Sequence, residues 1–239
     1  MNISNALRFA FGVTTASALL AACSGGSGNS QLTPTGATPQ QHVSRAMAGQ
    51  PSKKVSPLFS SSWLYYNYNP SGQNISPEKA DYSNGTASFS FDPAYFTALL
   101  TTGDKSLTGD LTGKTLSDTI TVSGATDAFV TQNGGGCGNP PAARFYFSTP
   151  GFAYTNFWWS NPVSYVLANG TITLSAPLSD PTQWSDWNGQ FGSQNPGAFA
   201  QAVSKVQVVG LSFGGDCFFE NGATVKSGTA LFQSQFSEI

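Results

Sequence analysis

The chain has 239 residues, and its 10 basic and 12 acidic side chains make charged residues only 9% of the total, against about 25% in an average soluble domain. Long surface helices, coiled coils and electrostatic nucleic-acid binders need denser charge, so this composition excludes them, and a single His argues against a zinc site. Thirteen per cent aromatic residues with 26 Gly and 14 Pro point instead to short strands joined by tight turns; 39% hydrophobic residues suffice for a core in a chain of this length.

Residues 1–22 read as a targeting segment rather than as fold. Arg8 is its only charged side chain, and the apolar stretch 9–22 is shorter than the roughly 20 residues a membrane span needs. It ends Leu20-Ala21-Ala22-Cys23, which resembles the bacterial lipobox. That resemblance implies export, cleavage before Cys23 and acylation (palmitate among the chains) of its thiol. Ser24 after the Cys implies the outer membrane. Residues 23–57 then read as a flexible, lipid-anchored tether of Gly, Ser, Pro, Gln and Thr. The tether carries Arg45, Lys53 and Lys54 and the one His, His42, which is expected to be non-catalytic. The remaining domain, 58–239, holds six basic residues and all twelve acids, a balance of 6 − 12 = −6.

From residue 58 onward period-two alternation predicts strands. Ala87, Phe89 and Phe91 share one face of 86–91. Leu116, Ile120 and Val122 share one face of 116–122, with Asp118 interrupting it. Phe145 and Phe147 alternate with Arg144, Tyr146 and Ser148, and Ile172, Leu174 and Ala176 with Thr171, Thr173 and Ser175. Segment 206–213 is almost continuously apolar, as a central strand is, and 228–236 closes the chain. Asn-Gly at 84–85, 133–134, 169–170, 188–189 and 221–222 marks turns; the one at 169–170 predicts a hairpin pairing 163–167 with 171–176. One short helix is expected, capped by Asn195, opened by Pro196 and burying Phe199, Ala202, Val203 and Val206. The reading is an all-β, antiparallel β-sandwich of the jelly-roll kind with one helix.

With Cys23 taken by the anchor, Cys137 and Cys217 remain, and in an oxidising compartment they are expected to pair. Catalysis by Ser-His-Asp lacks a His in the fold, and no phosphate-binding Gly-x-x-x-x-Gly-Lys loop occurs. Glycoside hydrolysis needs only two carboxylates; Asp186, Asp216 and Glu220 are the candidates, with structural loop acids as the alternative. A structural calcium on loop carboxylates is a further possibility without a motif to name its ligands. The stronger constellation is aromatic and amide together: Trp158 and Trp159 between Asn156 and Asn161, then Trp184, Trp187, Asn188 and Gln190. A third such stretch is Trp63-Leu64-Tyr65-Tyr66-Asn67-Tyr68. Flat rings stack on the C–H faces of sugars while amides bind their hydroxyls. The competing reading is core packing, since on a strand one of two adjacent Trp rings must point inward.

The stretch Leu111-Thr112-Gly113-Lys114-Thr115-Leu116 leading into Ile120-Thr121-Val122, then Arg144-Phe145-Tyr146-Phe147 and Leu178-Ser179-Asp180-Pro181-Thr182-Gln183-Trp184, resembles the galactose-binding-domain-like jelly rolls that form many carbohydrate-binding modules. The similarity continues through Phe199, Val203, Val209-Gly210-Leu211-Ser212-Phe213 and the closing strand. It implies a jelly-roll scaffold. Together with the lipobox resemblance, which attaches the chain to the membrane through Cys23, and the sparse charge, which excludes a nucleic-acid partner, the expectation is a non-catalytic envelope lipoprotein that binds a neutral glycan or another surface ligand. A structural or protein-interaction lipoprotein of the envelope is the alternative.

Overall fold

The computed structural model describes residues 62–132, 136–151 and 154–239. The targeting segment, Cys23, the tether with His42 and the Asn133-Gly134 dipeptide lie outside them. In chain order the strands are β1 (Leu64–Tyr68), β2 (Glu78–Lys79), β3 (Asp81–Ser83), β4 (Thr86–Phe91), β5 (Phe96–Thr102), β6 (Thr115–Ser123), β7 (Phe129–Thr131), β8 (Ala142–Ser148), β9 (Phe157–Ser160), β10 (Tyr165–Val166), β11 (Gly170–Pro177), β12 (Trp184–Asp186), β13 (Val208–Gly214), β14 (Ala223–Val225) and β15 (Ala230–Glu238), with one α-helix, α1 (Pro196–Val203), before β13. They form two antiparallel sheets, the all-β sandwich that the alternation predicts. The larger runs β12-β9-β8-β13-β5-β1-β2, with β10, β14 and β7 attached, and the smaller runs β11-β6-β15-β4-β3.

Alternation decides which side chains fill the space between the sheets. Phe89 and Phe91 of β4 meet Phe213 of β13 and Phe232 of β15 in a cluster of mostly edge-to-face rings with centroids 4.9–5.7 Å apart, the geometry aromatic quadrupoles favour. The chain crosses from one sheet to the other at Ala80, whose N–H donates to the Trp63 carbonyl. β13 is the central strand expected from its apolar run, paired on both sides with β5 and β8. Asp118 does lie in the core-facing row of β6: it is fully buried and accepts from Ser234 Oγ at 2.7 Å. Burial pushes its carboxyl up to about 7.

Two local expectations are corrected. The 163–167/171–176 hairpin does not form. Residues 165–166 pair with β8 in one sheet, whereas β11 pairs with β6 in the other over eight residues in unbroken register. Asn169-Gly170 is therefore a crossing between sheets, pinned where Asn169 bonds both the N–H and the carbonyl of Ala125. The same dipeptide at 84–85 does make a hairpin, joining β3 to β4 with φ of 50° and 76°. The helix buries Phe199, Ala202 and Val203 as expected, but Asn195 makes no side-chain cap bond, and Val206 falls beyond its last turn.

Candidate functional site

The four tryptophans singled out as a ligand platform are all buried, none more than 5% exposed. Trp158 and Trp184 point between the sheets and pack on Phe147 and Phe199. Their indole N–H groups donate to the carbonyls of Thr155 and Pro177. Trp159 and Trp187 point to the opposite face of the large sheet, as alternation requires, but that face is covered too: they pack with Tyr146, Phe157, Val208 and Phe219. A ring so enclosed cannot stack on a ligand, so the platform reading is corrected to core packing. Asn188 and Gln190 are exposed, but their backbone N–H groups donate to Asp186 Oδ1, both at 2.9 Å; they belong to a turn built around that carboxylate.

The three candidate acids do not converge on an open cleft. Asp186 organises its turn from a buried position, and burial raises its pKa. Asp216 accepts from the N–H groups of Gly136 and Gly138 at 2.8 and 2.9 Å and so clasps the segment that carries Cys137. Next to it Cys137 and Cys217 form the expected disulfide, with Cα atoms 5.0 Å apart. Among the described residues, Cys137, Asp216 and Cys217 are also the single grouping of three side chains of the metal-binding types. The disulfide occupies both sulfurs, which leaves one carboxylate for an ion.

Glu220, within the 214–222 loop, is buried beside Arg144, which lies on the outer face of the large sheet. Burial pushes its carboxyl up to about 8, against the pull of the Arg144 charge. The Arg144 guanidinium lies over the Phe219 ring at 4.2 Å, and its burial lowers the pKa to about 10. Nε and Nη1 of Arg144 and Oε2 of Glu220 have no hydrogen-bond partner among the described residues. Tyr146, below them on β8, is held neutral chiefly by burial. This is an enclosed polar layer rather than an open site.

The open site lies elsewhere. A groove of about 340 Å³ opens between the sheets where β1 and β2 face β3 and β4, within the size range of small-ligand sites. Tyr65, Phe89 and Tyr95 line it with aromatic surface; Glu78, Asp81 and Asp92 supply carboxylates against the single cation Lys79; Asn67, Ser88, Ser90 and Thr97 add neutral polar groups. Tyr65 is fixed on both sides: its ring stacks on Phe89 at 5.0 Å, and its hydroxyl donates to Glu78 Oε2 at 2.8 Å. Partial burial and that carboxylate raise its pKa. Asn67 Oδ1 accepts from Thr97 Oγ1 at 2.8 Å, which leaves the amide N–H₂ available. Tyr95 is 40% exposed at the rim. The signal for this site was the aromatic-amide stretch 63–68, which contributes Tyr65 and Asn67. Its acids gave no signal, because 78, 81 and 92 are brought together only by the crossing between sheets.

A second, shallower depression of about 650 Å³ is lined by residues 125–129, 140–141 and 166–169 and is mostly apolar. No family model matches the chain, and no curated protein or solved structure matches it either.

Proposed function

We propose that this chain is an exported lipoprotein, tethered to the outer membrane through Cys23, that binds a neutral glycan without turning it over. The ligand site of this reading is the groove between β1–β2 and β3–β4, in place of the tryptophan clusters. The observation that carries it is the composition of that groove: Tyr65 and Tyr95 offer faces for C–H stacking, and Glu78, Asp81, Asp92 and Asn67 offer acceptors and an amide for hydroxyls. Three carboxylates and one lysine around the opening disfavour anionic ligands. The cell-envelope placement rests on the lipobox-like end of the targeting segment.

A glycan array probed with the full chain, followed by calorimetry on the best neutral hit, tests the reading. Tyr95→Ala, at an exposed rim position, is expected to weaken binding about tenfold, roughly 1.4 kcal/mol, with the melting temperature unchanged. An array without a hit, or a hit indifferent to Tyr95→Ala and Glu78→Gln, overturns it. Release of reducing sugar that is lost in Glu78→Gln would replace binding by hydrolysis. Loss of fatty-acid labelling in Cys23→Ser is the expected outcome for the anchor.

A further inference from the structure

An edge strand presents unpaired N–H and C=O groups that natural proteins blunt with charge, shortness or cover. Among the described residues the branched large sheet has edges at β2, β12, β7 and β10 and the small sheet at β3 and β11, and all but one are blunted. β7 and β10 are only three and two residues long. β2 is two residues long and is Glu78-Lys79. β3 is three residues long and starts with Asp81. β12 is three residues long, ends in Asp186, and is bridged by the following segment at Ser185↔Phe191. The remaining edge, β11, has none of these devices. It runs eight residues, Gly-Thr-Ile-Thr-Leu-Ser-Ala-Pro, without a charge. Its pairing with β6 has no bulge to twist it away. Among the described residues no strand lies on its far side. Gly170, Thr171, Ile172 and Thr173 are exposed, Ile172 to 37%.

We propose that β11 is a self-association strand: two copies of the chain join there, antiparallel about a two-fold axis, so that their small sheets become one continuous sheet. The sequence of β11 argues for a second copy as the occupant. A two-fold axis perpendicular to the sheet keeps the core-facing row of each copy on the same side only when one residue faces its own counterpart across it, because side chains alternate with period two. The longest overlap is centred on Thr173. It sets Gly170 opposite the partner's Ala176, Thr171 opposite the partner's Ser175 and Ile172 opposite the partner's Leu174. Hydroxyls then face hydroxyls on the outer side, and the exposed Ile172 meets an apolar side chain on the inner side. The chain already uses this chemistry once: across β6 and β11, Thr119 and Thr173 hydroxyls lie 3.0 Å apart, and Thr121 and Thr171 hydroxyls 2.9 Å. No like charges oppose each other in this arrangement, and Pro177 ends it where a donor would next be required. An isologous contact of this kind closes as a dimer rather than growing into a filament.

The test is sedimentation of the full chain in neutral detergent from about 1 to about 100 μM, with circular dichroism to confirm folding. Wild type is expected to dimerise. Thr173→Lys and Thr173→Glu place like charges on the axis, and each alone is expected to raise the dimer Kd at least about tenfold. Mixing the two is expected to restore a dimer, which simple misfolding of either variant would not allow. A wild-type chain that stays monomeric over this range, a dimer unaffected by both variants, or a failure of the mixture to re-associate overturns the proposal.

Discussion

Replacing Glu220 by Gln tests whether a neutral carboxyl is built into the outer face of the large sheet. In the folded chain burial holds the Glu220 carboxyl at about 8, against an ordinary value of 4.5. Below pH 4.5 the group is protonated in folded and unfolded chains alike, and the site carries no penalty. Between 4.5 and about 8 the folded chain retains a proton that the unfolded chain has released. Stability then falls by about 1.4 kcal/mol per pH unit, a total of roughly 5 kcal/mol once pH exceeds the folded value. Asp118, raised to about 7 by burial, adds a loss of the same sign between 3.8 and about 7, and it is common to both proteins. Asp104, Asp110, Asp127 and Asp180 have lowered pKa values. What they contribute is lost only as pH falls through their folded values, outside this window. Glu220→Gln is therefore expected to match wild type near pH 5 and to exceed it by roughly 3 kcal/mol at pH 7. Urea unfolding at pH 5, 6, 7 and 8 with the disulfide intact measures this. Parallel pH profiles for the two proteins, or a variant less stable than wild type at pH 8, would refute the reasoning.

Removing the Cys137–Cys217 crosslink by a double Ser substitution frees a loop of 80 residues; the expected loss is about 4.5 kcal/mol in the chain-entropy account, read as a lower urea midpoint. Gly210→Ala is expected to cost about 3 kcal/mol or more, because the new methyl would lie 2.0 Å from the Leu100 carbonyl oxygen in a neighbouring strand; a normal melting temperature would contradict that. Asn195→Ala is expected to change stability by less than about 0.5 kcal/mol, since the side chain makes no cap bond.

What could be read before the structure, and what could not, separates along range of interaction. Phe89 and Phe91 announce a buried face by spacing alone, because a strand's side chains alternate whatever it pairs with. The two Asn-Gly dipeptides at 84–85 and 169–170 are locally identical, yet one joins paired strands and the other passes between sheets. The difference is that β11 finds β6, about fifty residues earlier, and no local rule contains that partner. The tryptophans failed in the same way. Alternation correctly sends one of Trp158 and Trp159 inward and the other outward, but whether the outward face meets water depends on what covers it. Part of that cover is Phe219, sixty residues later in the chain.

The scarcity of charge acquires a sharper meaning when each acid is traced to its partner. Asp92, Asp104, Asp110, Asp127, Asp180, Asp186 and Asp216 each accept a backbone N–H and so hold a turn or loop. Asp118 and Glu220 are buried with raised pKa values, and Glu238 pairs with Lys114 at 3.0 Å. The domain's negative balance is thus mostly the by-product of turn-making in a fold with many short strands. Glu78 and Asp81 are the two acids left outside these roles, and both line the same groove, where Glu78 takes the hydroxyl of Tyr65. In a chain with so few charges, two carboxylates without a turn to hold, set in the same groove as the exposed Tyr95, are why the proposed ligand site is that groove rather than the larger apolar depression.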